Sequence, residues 1–281
     1  MGDFRASKLP MVGVLFWTIK IVATTLGESA SNLVSMAPLN LGYTTATVIF
    51  LALFVVTLTV QMRARRFHPF VFWSVILTTS IVGTAMSDLM NRTLGLGYAR
   101  GAAVLTTLLV IVLIGWRVSG QTMDVERIAT TRGEVLYWTA TLVSNTLGTS
   151  SGDFLSDGLG FGFRDSAAVL SAAMLLILAL HYWTPISGTL LFWAAYVLTR
   201  PLGAVAENAV EKPVAQGGLG VGTTITTAVL LAVLVALVGY QQLTHRGQTR
   251  TLDTMDPSTA DSAVSSPAGS TTPRTSPPPA G

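Results

Sequence analysis

One motif, present in four copies, constrains the fold of this chain most. In each copy a tryptophan is followed ten residues later by glycine, and five residues after that by aspartate or asparagine: Trp17/Gly27/Asn32, Trp73/Gly83/Asp88, Trp138/Gly148/Asp153 and Trp193/Gly203/Asn208. Successive tryptophans lie 56, 65 and 55 residues apart. Such regular spacing is typical of internal duplication. Duplicated elements place equivalent side chains at equal heights, so the polar residues of the four copies are expected to meet.

Long apolar blocks follow each copy of the motif. Half of the residues are hydrophobic, only 11% are charged, and nearly uninterrupted apolar runs occupy 46–62, 102–116, 167–180 and 225–240. Roughly 20 such residues span about 30 Å of hydrocarbon. Each repeat is therefore predicted to consist of a first helix with a polar stripe and an apolar second helix. The four first helices start near Pro10, Pro69, Glu134 and Pro185. The sequence predicts an all-α membrane protein with eight transmembrane helices from four tandem, parallel two-helix repeats.

The loop charges predict the orientation of these helices. Arginine and lysine concentrate in the loops between repeats and in the terminal flanks, which predicts that both termini of this multi-pass protein lie in the cytoplasm. The predicted organisation is an N-terminal segment at 1–9, repeats at 10–66, 67–117, 134–184 and 185–243, a loop at 118–133, and a disordered cytoplasmic tail at 244–281. The tail is rich in Ser, Thr and Pro and cannot bury a core.

The net charge and the cysteine content limit the kinds of partner that the protein is expected to bind. The formal charge of +3 follows from the loop bias and gives no reason to expect nucleic acid. With no cysteine, there is no thiolate metal site or disulfide framework. The expected partners are the lipid bilayer and a cation substrate, no cofactor is expected, and homo-oligomerisation is left open.

The first helices carry charged residues that a bilayer would not accept on a lipid-facing surface. Such a charge costs several kcal/mol unless it is paired or hydrated, so these helices are predicted to form an inner ring. Pairs of Glu28 with Arg200 and of Glu207 with Lys20 would fasten the first and fourth repeats together. Asp88 and Asp153 have no intramembrane base in their own repeats, and we expect these two carboxylates to face one another and bind a cation.

The types of candidate ligand indicate which metal ions this site would bind. The candidate ligands are Asp88, Asp153, Asn32, Asn208, Glu28 and Glu207. Methionines near Asp88 and Asn32 would suit a borderline divalent ion such as Mn²⁺, whereas Mg²⁺ or Ca²⁺ would use the oxygens alone. The three histidines lie away from the acidic level, which disfavours a zinc site.

Tryptophan and glycine have simpler expected roles. The four tryptophans are predicted to lie at a common depth near the cytoplasmic interface, where an indole buries its ring and keeps its N–H hydrated. The glycine ten residues later is expected to let a neighbouring backbone approach closely. A second repeated signature, Leu39–Tyr43, Leu94–Tyr98, Leu159–Phe163 and Leu219–Thr223, places glycine at one or two alternate positions and predicts a tight turn between the helices of each repeat.

These residues resemble a known family. The segments Phe16–Glu28 and Tyr137–Gly148 look like those of bacterial membrane-anchored proteins built from four tandem two-helix repeats, each with a signature tryptophan, catalogued as a repeat of unknown function. The resemblance covers Pro10 to about Leu243 and implies eight spans in an inner membrane, with no established activity. The fourth repeat departs from it, because Arg200-Pro201 precedes its glycine and about five residues are added near 211–217.

The leading functional hypothesis is a transporter or channel for a cation, most readily a divalent metal, that passes between the four first helices. The alternative is a membrane scaffold or sensor that transports nothing and whose buried ion pairs are structural. An enzyme is not expected, since the polar positions contain no arrangement of a nucleophile with histidine and no metal-binding histidines.

Overall fold

The structure, a computed structural model, describes residues 10–64, 66–128 and 130–254. Within them the chain forms eight long helices and no β-strand: α1 (Val14–Ser35), α2 (Gly42–Arg63), α3 (Pro69–Asp88), α4 (Tyr98–Val118), α5 (Thr131–Asp153), α6 (Gly162–Trp183), α7 (Gly188–Glu211) and α8 (Thr223–Thr254). Six of these helices are long and apolar enough to cross a membrane, namely all except α1 and α5. The polar stripes of α1 and α5 lower their hydropathy.

The inner helices form a closed ring. Helix α1 packs against α3, α3 against α5, α5 against α7, and α7 back against α1. The outer helices α2, α4 and α6 pack most extensively against the inner helix of the following repeat. A hydrogen bond of 2.7 Å between the hydroxyls of Ser29 and Thr227 joins α8 to α1 in the same sense. The inner ring predicted from the polar stripes is therefore present. The outer helix of each repeat packs against the inner helix of the next repeat.

Four glycines allow the inner helices to approach closely. A Cβ atom on Gly27, Gly83, Gly148 or Gly203 would collide with the next helix of the ring, at Ser80, Asn145, Arg200 and Thr24 respectively. Each contacted residue stands seven positions after the tryptophan of its own repeat. The same contact thus recurs four times and closes on itself, which confirms close packing as the role of these glycines.

The loops that join the two helices of each repeat are tight turns. The glycine at the fourth position of the signature has a positive φ in all four copies, from 74° to 83°. The alternate position before it is also left-handed in all four, with Asn40 at 57° taking the place of Gly95, Gly160 and Gly220. Glycine tolerates this conformation without steric cost, and asparagine is among the residues that adopt it most readily. The predicted turns are present.

Some helix boundaries differ from those predicted. Helix α5 starts at Thr131, before Glu134, because the Thr130 hydroxyl caps it by accepting a hydrogen bond from the amide of Gly133. Helices α3 and α5 continue as π-helical turns, Leu89–Thr93 and Phe154–Gly158, which the sequence did not reveal. The ring belongs to a compact unit that ends at Gln242.

The last helix runs past the predicted start of the tail. The unit that starts at Leu243 is described only as far as Thr254. It is helical there, although the sequence predicted disorder from residue 244. The remainder of the tail, 255–281, and the segment 1–9 lie outside the described residues.

Candidate functional site: a polar core inside the helix ring

Aromatic rings close one end of the inner ring. Each repeat contributes its tryptophan and the aromatic residue before it, and neighbouring ring centroids lie 4.9 to 6.1 Å apart around a closed circuit of Phe16, Trp17, Phe192, Trp193, Tyr137, Trp138, Phe72 and Trp73. We call this set the aromatic circuit and the end that it closes the tryptophan end. The opposite end, with the glycine turns, is the loop end.

Three of the four repeat tryptophans do not keep a hydrated N–H as the sequence predicted, whereas Trp17 is partly exposed. Trp73, Trp138 and Trp193 are buried, with at most 4% of each residue exposed. The Trp73 N–H donates to the Gln241 side chain at 2.6 Å, and the Trp193 N–H donates to the Met123 carbonyl at 3.1 Å. The four indoles lie in one circuit, where each contacts the phenylalanine or tyrosine that precedes the tryptophan of a neighbouring repeat.

Lys20 lies directly beyond the circuit and is fully buried. Its ammonium group is 3.7 Å from the centroid of the Tyr196 ring. No hydrogen-bond acceptor among the described residues reaches its Nζ atom. The Tyr196 hydroxyl contacts the hydroxyls of Tyr137 at 3.2 Å and Thr141 at 3.1 Å. The predicted pair of Lys20 with Glu207 does not form, because Lys20 lies at the tyrosine level and is instead packed as a cation over an aromatic face.

Arg200 occupies the centre of the ring and is fully buried. Its guanidinium lies 3.1 Å from the Glu28 carboxylate and donates to the main-chain carbonyls of Thr24 and Ser80, each at 3.1 Å. It also donates to the Thr84 hydroxyl. The predicted Glu28–Arg200 pair is therefore present.

Glu28 is the acceptor that completes this central network. Its Oε2 atom accepts hydrogen bonds from Thr84 at 2.9 Å and Thr149 at 3.1 Å, in addition to the contact with Arg200. Glu28, Thr84 and Thr149 all stand eleven residues after a repeat tryptophan, on α1, α3 and α5. The network thus joins all four inner helices and fills the axis at this level, where an uncompensated charge would be costly.

Asp88 and Asp153 converge nearer the loop end. The Arg92 guanidinium lies 2.8 Å from the Asp88 carboxylate and 3.5 Å from that of Asp153. Both aspartates are buried, whereas 37% of the Arg92 side chain is exposed. Two carboxylates on neighbouring inner helices therefore share one cationic group at the mouth of the ring. We call these three residues the Asp–Arg–Asp site.

Arg92 overturns the expectation that the two aspartates have no base. Arg92 lies just before the Leu94–Tyr98 signature, so the sequence assigns it to the turn between α3 and α4. The π-helical turn after Asp88 keeps it four residues along the same helical path, so it returns onto Asp88 and reaches across to Asp153. Its guanidinium also lies 5.9 Å from the Tyr43 ring and 5.7 Å from the Tyr98 ring. The spacing Asp-x-x-x-Arg was the sequence signal that identifies this pair.

The other predicted ligands do not join a single metal cluster. Asn32, Asn208 and Glu207 are buried. Among the described residues, no group of three or more His, Asp and Glu side chains is arranged to hold a metal ion. The charged side chains instead divide into the Glu28–Arg200 network, the Asp–Arg–Asp site and a third group around Glu207.

Glu211 belongs to that third group and was also absent from the predicted site. It follows Glu207 by four residues on α7, and its carboxylate accepts hydrogen bonds from the hydroxyls of Thr223 at 2.5 Å and Ser29 at 3.4 Å. The i, i+4 spacing of two glutamates was visible in the sequence. Their position beside α1 and α8 was not, because it depends on how the fourth repeat closes the ring.

The sequence pattern of one protein family, described as Repeat of Unknown Function (DUF347), matches the chain four times, at residues 15–67, 71–122, 136–187 and 191–247. These matches cover most of the chain. The protein belongs to this repeat family. Neither a curated protein nor a solved structure matches the chain. The family's four matched segments each contain one inner and one outer helix, so its repeat is the structural unit of the ring.

Proposed function

We propose that this protein is an eight-span integral membrane protein that moves cations, and that Asp88 and Asp153 bind the cation at the mouth of the inner ring. The observation that supports this most directly is the convergence of both carboxylates on the half-exposed Arg92 guanidinium. That position already holds a positive charge, supplied by the protein itself. A cation from solution would bind by replacing Arg92 between the two aspartates.

The balance of charge in the ring also favours a cation. Beyond the aromatic circuit, the described inner helices and their π-helical extensions carry five buried carboxylates, on Glu28, Asp88, Asp153, Glu207 and Glu211. The bases there are Lys20, Arg92 and Arg200, with Lys212 immediately after α7. Carboxylates outnumber bases even when Lys212 is included. An acidic interior of low dielectric constant attracts cations and repels anions.

The proposed path follows the ring axis. In this conformation the axis is closed by Arg200 and Glu28 and, at the tryptophan end, by the aromatic circuit. Movement of a cation therefore requires a rearrangement of the parallel repeats. With both termini in the cytoplasm, as the loop charges predict, the Asp–Arg–Asp site would face the outside. Reporter fusions to the terminal segments and to the loop-end turns test that orientation.

The binding step can be measured by titrating purified protein with Mn²⁺, Mg²⁺ and Ca²⁺ in a calorimeter. Asp153→Asn keeps the shape of the side chain and removes a charge, so affinity should fall by at least an order of magnitude, about 1.4 kcal/mol. Arg92→Gln removes the competing guanidinium and should raise the affinity. Arg164→Gln, an exposed arginine near the loop end, is the matched control and should leave it unchanged.

Transport is tested by cation flux into proteoliposomes. Flux should saturate with cation concentration and should fall in Asp88→Asn and in Asp153→Asn. If wild-type protein binds none of the three cations, or if Asp153→Asn and Arg92→Gln both titrate like Arg164→Gln, the aspartates are structural and the proposal fails. The preference among divalent ions is tested by the same titration, since the methionines that flank Asp88 in the sequence, Met86 and Met90, are the feature that favours Mn²⁺ over Mg²⁺.

A structural role for the charges is the second candidate, and one observation favours it. Arg200 contacts Glu28 and Thr24 on α1, Ser80 and Thr84 on α3, and packs against Gly148 on α5. Such a group fastens the four inner helices together without needing a substrate. A scaffold of this kind would retain the Glu28–Arg200 network and show no cation binding at the Asp–Arg–Asp site.

A further inference from the structure

Glu207 and Glu211 lie apart from both charged networks on the axis. They stand one helical turn apart on α7, at the loop end. Glu207 is fully buried, and neither of its carboxylate oxygens accepts a hydrogen bond from an N–H or O–H group of the described residues. Glu211 is 7% exposed and is held by the hydroxyls of Thr223 and Ser29. One carboxylate of the pair is thus satisfied and the other is not.

A cavity of about 160 Å³ adjoins Glu207 between α1, α7 and α8. Its lining includes Thr25 and Thr226. The Thr226 residue is 5% exposed, and its Oγ1 atom has no hydrogen-bond partner among the described residues. The cavity is partly open, and the surface that it exposes is apolar. The buried oxygens of Glu207 and Thr226 are not exposed to it, so the cavity does not supply Glu207 with a hydrogen-bond donor, and a donor must come from the protein itself.

The charges around Glu207 leave the glutamate pair without a counter-ion in contact. The charged groups that act on it are Glu211, Glu28 and Lys212, and Arg200 lies two turns earlier on α7. Arg200 is already paired with Glu28, and Lys212 forms no ion pair with either glutamate of the pair among the described contacts. Helix α8 contributes hydroxyl groups and no charge at this level. Two adjacent ionised carboxylates would repel one another in a medium that penalises each of them.

We propose that Glu207 and Glu211 share one bound proton and form a proton-exchange site beside the ring axis. The shared proton removes one negative charge and supplies the O–H donor that Glu207 lacks. It can exchange with water at the loop end, since Glu211 is the last residue of α7 and Thr223 the first of α8. This proposal rests on the proposed cation transport for its role. A cation at the Asp–Arg–Asp site would favour release of the proton to bulk water, so cation movement would be coupled to protons.

Infrared difference spectroscopy of the full-length protein in detergent tests the shared proton directly. Wild-type protein at neutral pH should show the C=O band of a protonated carboxyl group, shifted when H₂O is replaced by D₂O. Both Glu207→Gln and Glu211→Gln should lose this band, because in each variant the new amide donates a hydrogen bond to the remaining carboxylate. Asp165→Asn, at an exposed position, is the control and should retain the band.

The outcomes separate this site from the transport proposal. The absence of the band from wild-type protein, or its loss in only one of the two glutamine variants, overturns the shared proton. A band that disappears when K⁺ in the buffer is replaced by Na⁺ also overturns it, since the pair would then bind sodium. If the band behaves as expected, Mn²⁺ added to unbuffered wild-type protein should release about one proton per chain, and to Glu207→Gln none. A band without any cation binding retains the site and refutes transport.

Discussion

Replacing Gly27 by alanine perturbs the contact that closes the inner ring. A Cβ atom at this position would lie 2.5 Å from the Cβ of Ser80 and 3.1 Å from its main-chain carbon. Carbon atoms pack at about 3.5 Å or more, so α1 and α3 must separate by about 1 Å. Rotation of the Ser80 side chain cannot relieve the contact, because a Cβ atom is fixed by the backbone.

The change in stability caused by Gly27→Ala is the sum of two opposing effects. Overpacking of this kind costs about 1–3 kcal/mol, whereas alanine stabilises a helix interior by roughly 0.8–1 kcal/mol relative to glycine. Gly115→Ala measures the second effect alone, because Gly115 is an exposed helical glycine with no atom within 4 Å of the added Cβ. We expect Gly27→Ala to be less stable than Gly115→Ala by about the full overpacking cost.

Thermal unfolding in detergent, followed by circular dichroism, measures this difference. For a chain of this size, each kcal/mol corresponds to a shift in Tm of about 2–4 °C. Ser80→Gly removes the colliding Cβ, so the double variant Gly27→Ala/Ser80→Gly should recover stability beyond the sum of the single effects. The reasoning is refuted if Gly27→Ala is as stable as Gly115→Ala, or if Ser80→Gly does not rescue it.

Three further predictions concern the buried charges and the tail. Arg200→Met should destabilise the protein by about 3–5 kcal/mol in chemical unfolding, because it leaves the buried Glu28 carboxylate without a cationic partner. Adding Glu28→Gln should restore much of the loss, and equal stability of the single and double variants would refute the pairing. Lys20→Met should cost little or increase stability, since no carboxylate of the described residues pairs with Lys20. A Tm loss as large as that of Arg200→Met would refute this expectation. Truncation after Thr254 should leave the Tm unchanged, and a lower Tm would show that the tail docks on the helices.

The sequence alone determined the architecture of this protein. Four regularly recurring tryptophans and the apolar runs after them specified parallel two-helix repeats, and the polar stripe specified which helix of each repeat faces inward. The glycine pattern specified the turns, and the structure then showed that Asn40 takes the place of one glycine in the first of them. These features follow from local periodicity and from the cost of a polar group in an apolar surrounding, both of which act within a single helix.

The tertiary structure alone decided which charges meet. Lys20 was predicted to pair with Glu207 and instead packs on Tyr196, while Arg92, assigned to a loop, holds Asp88 and Asp153. Arginine and lysine have long, flexible side chains, so their height in a helix does not specify their partner. The partner depends on how far each repeat rotates about the ring and on where a helix ends. The π-helical turn that extends α3 set the position of Arg92, and therefore the geometry of the site.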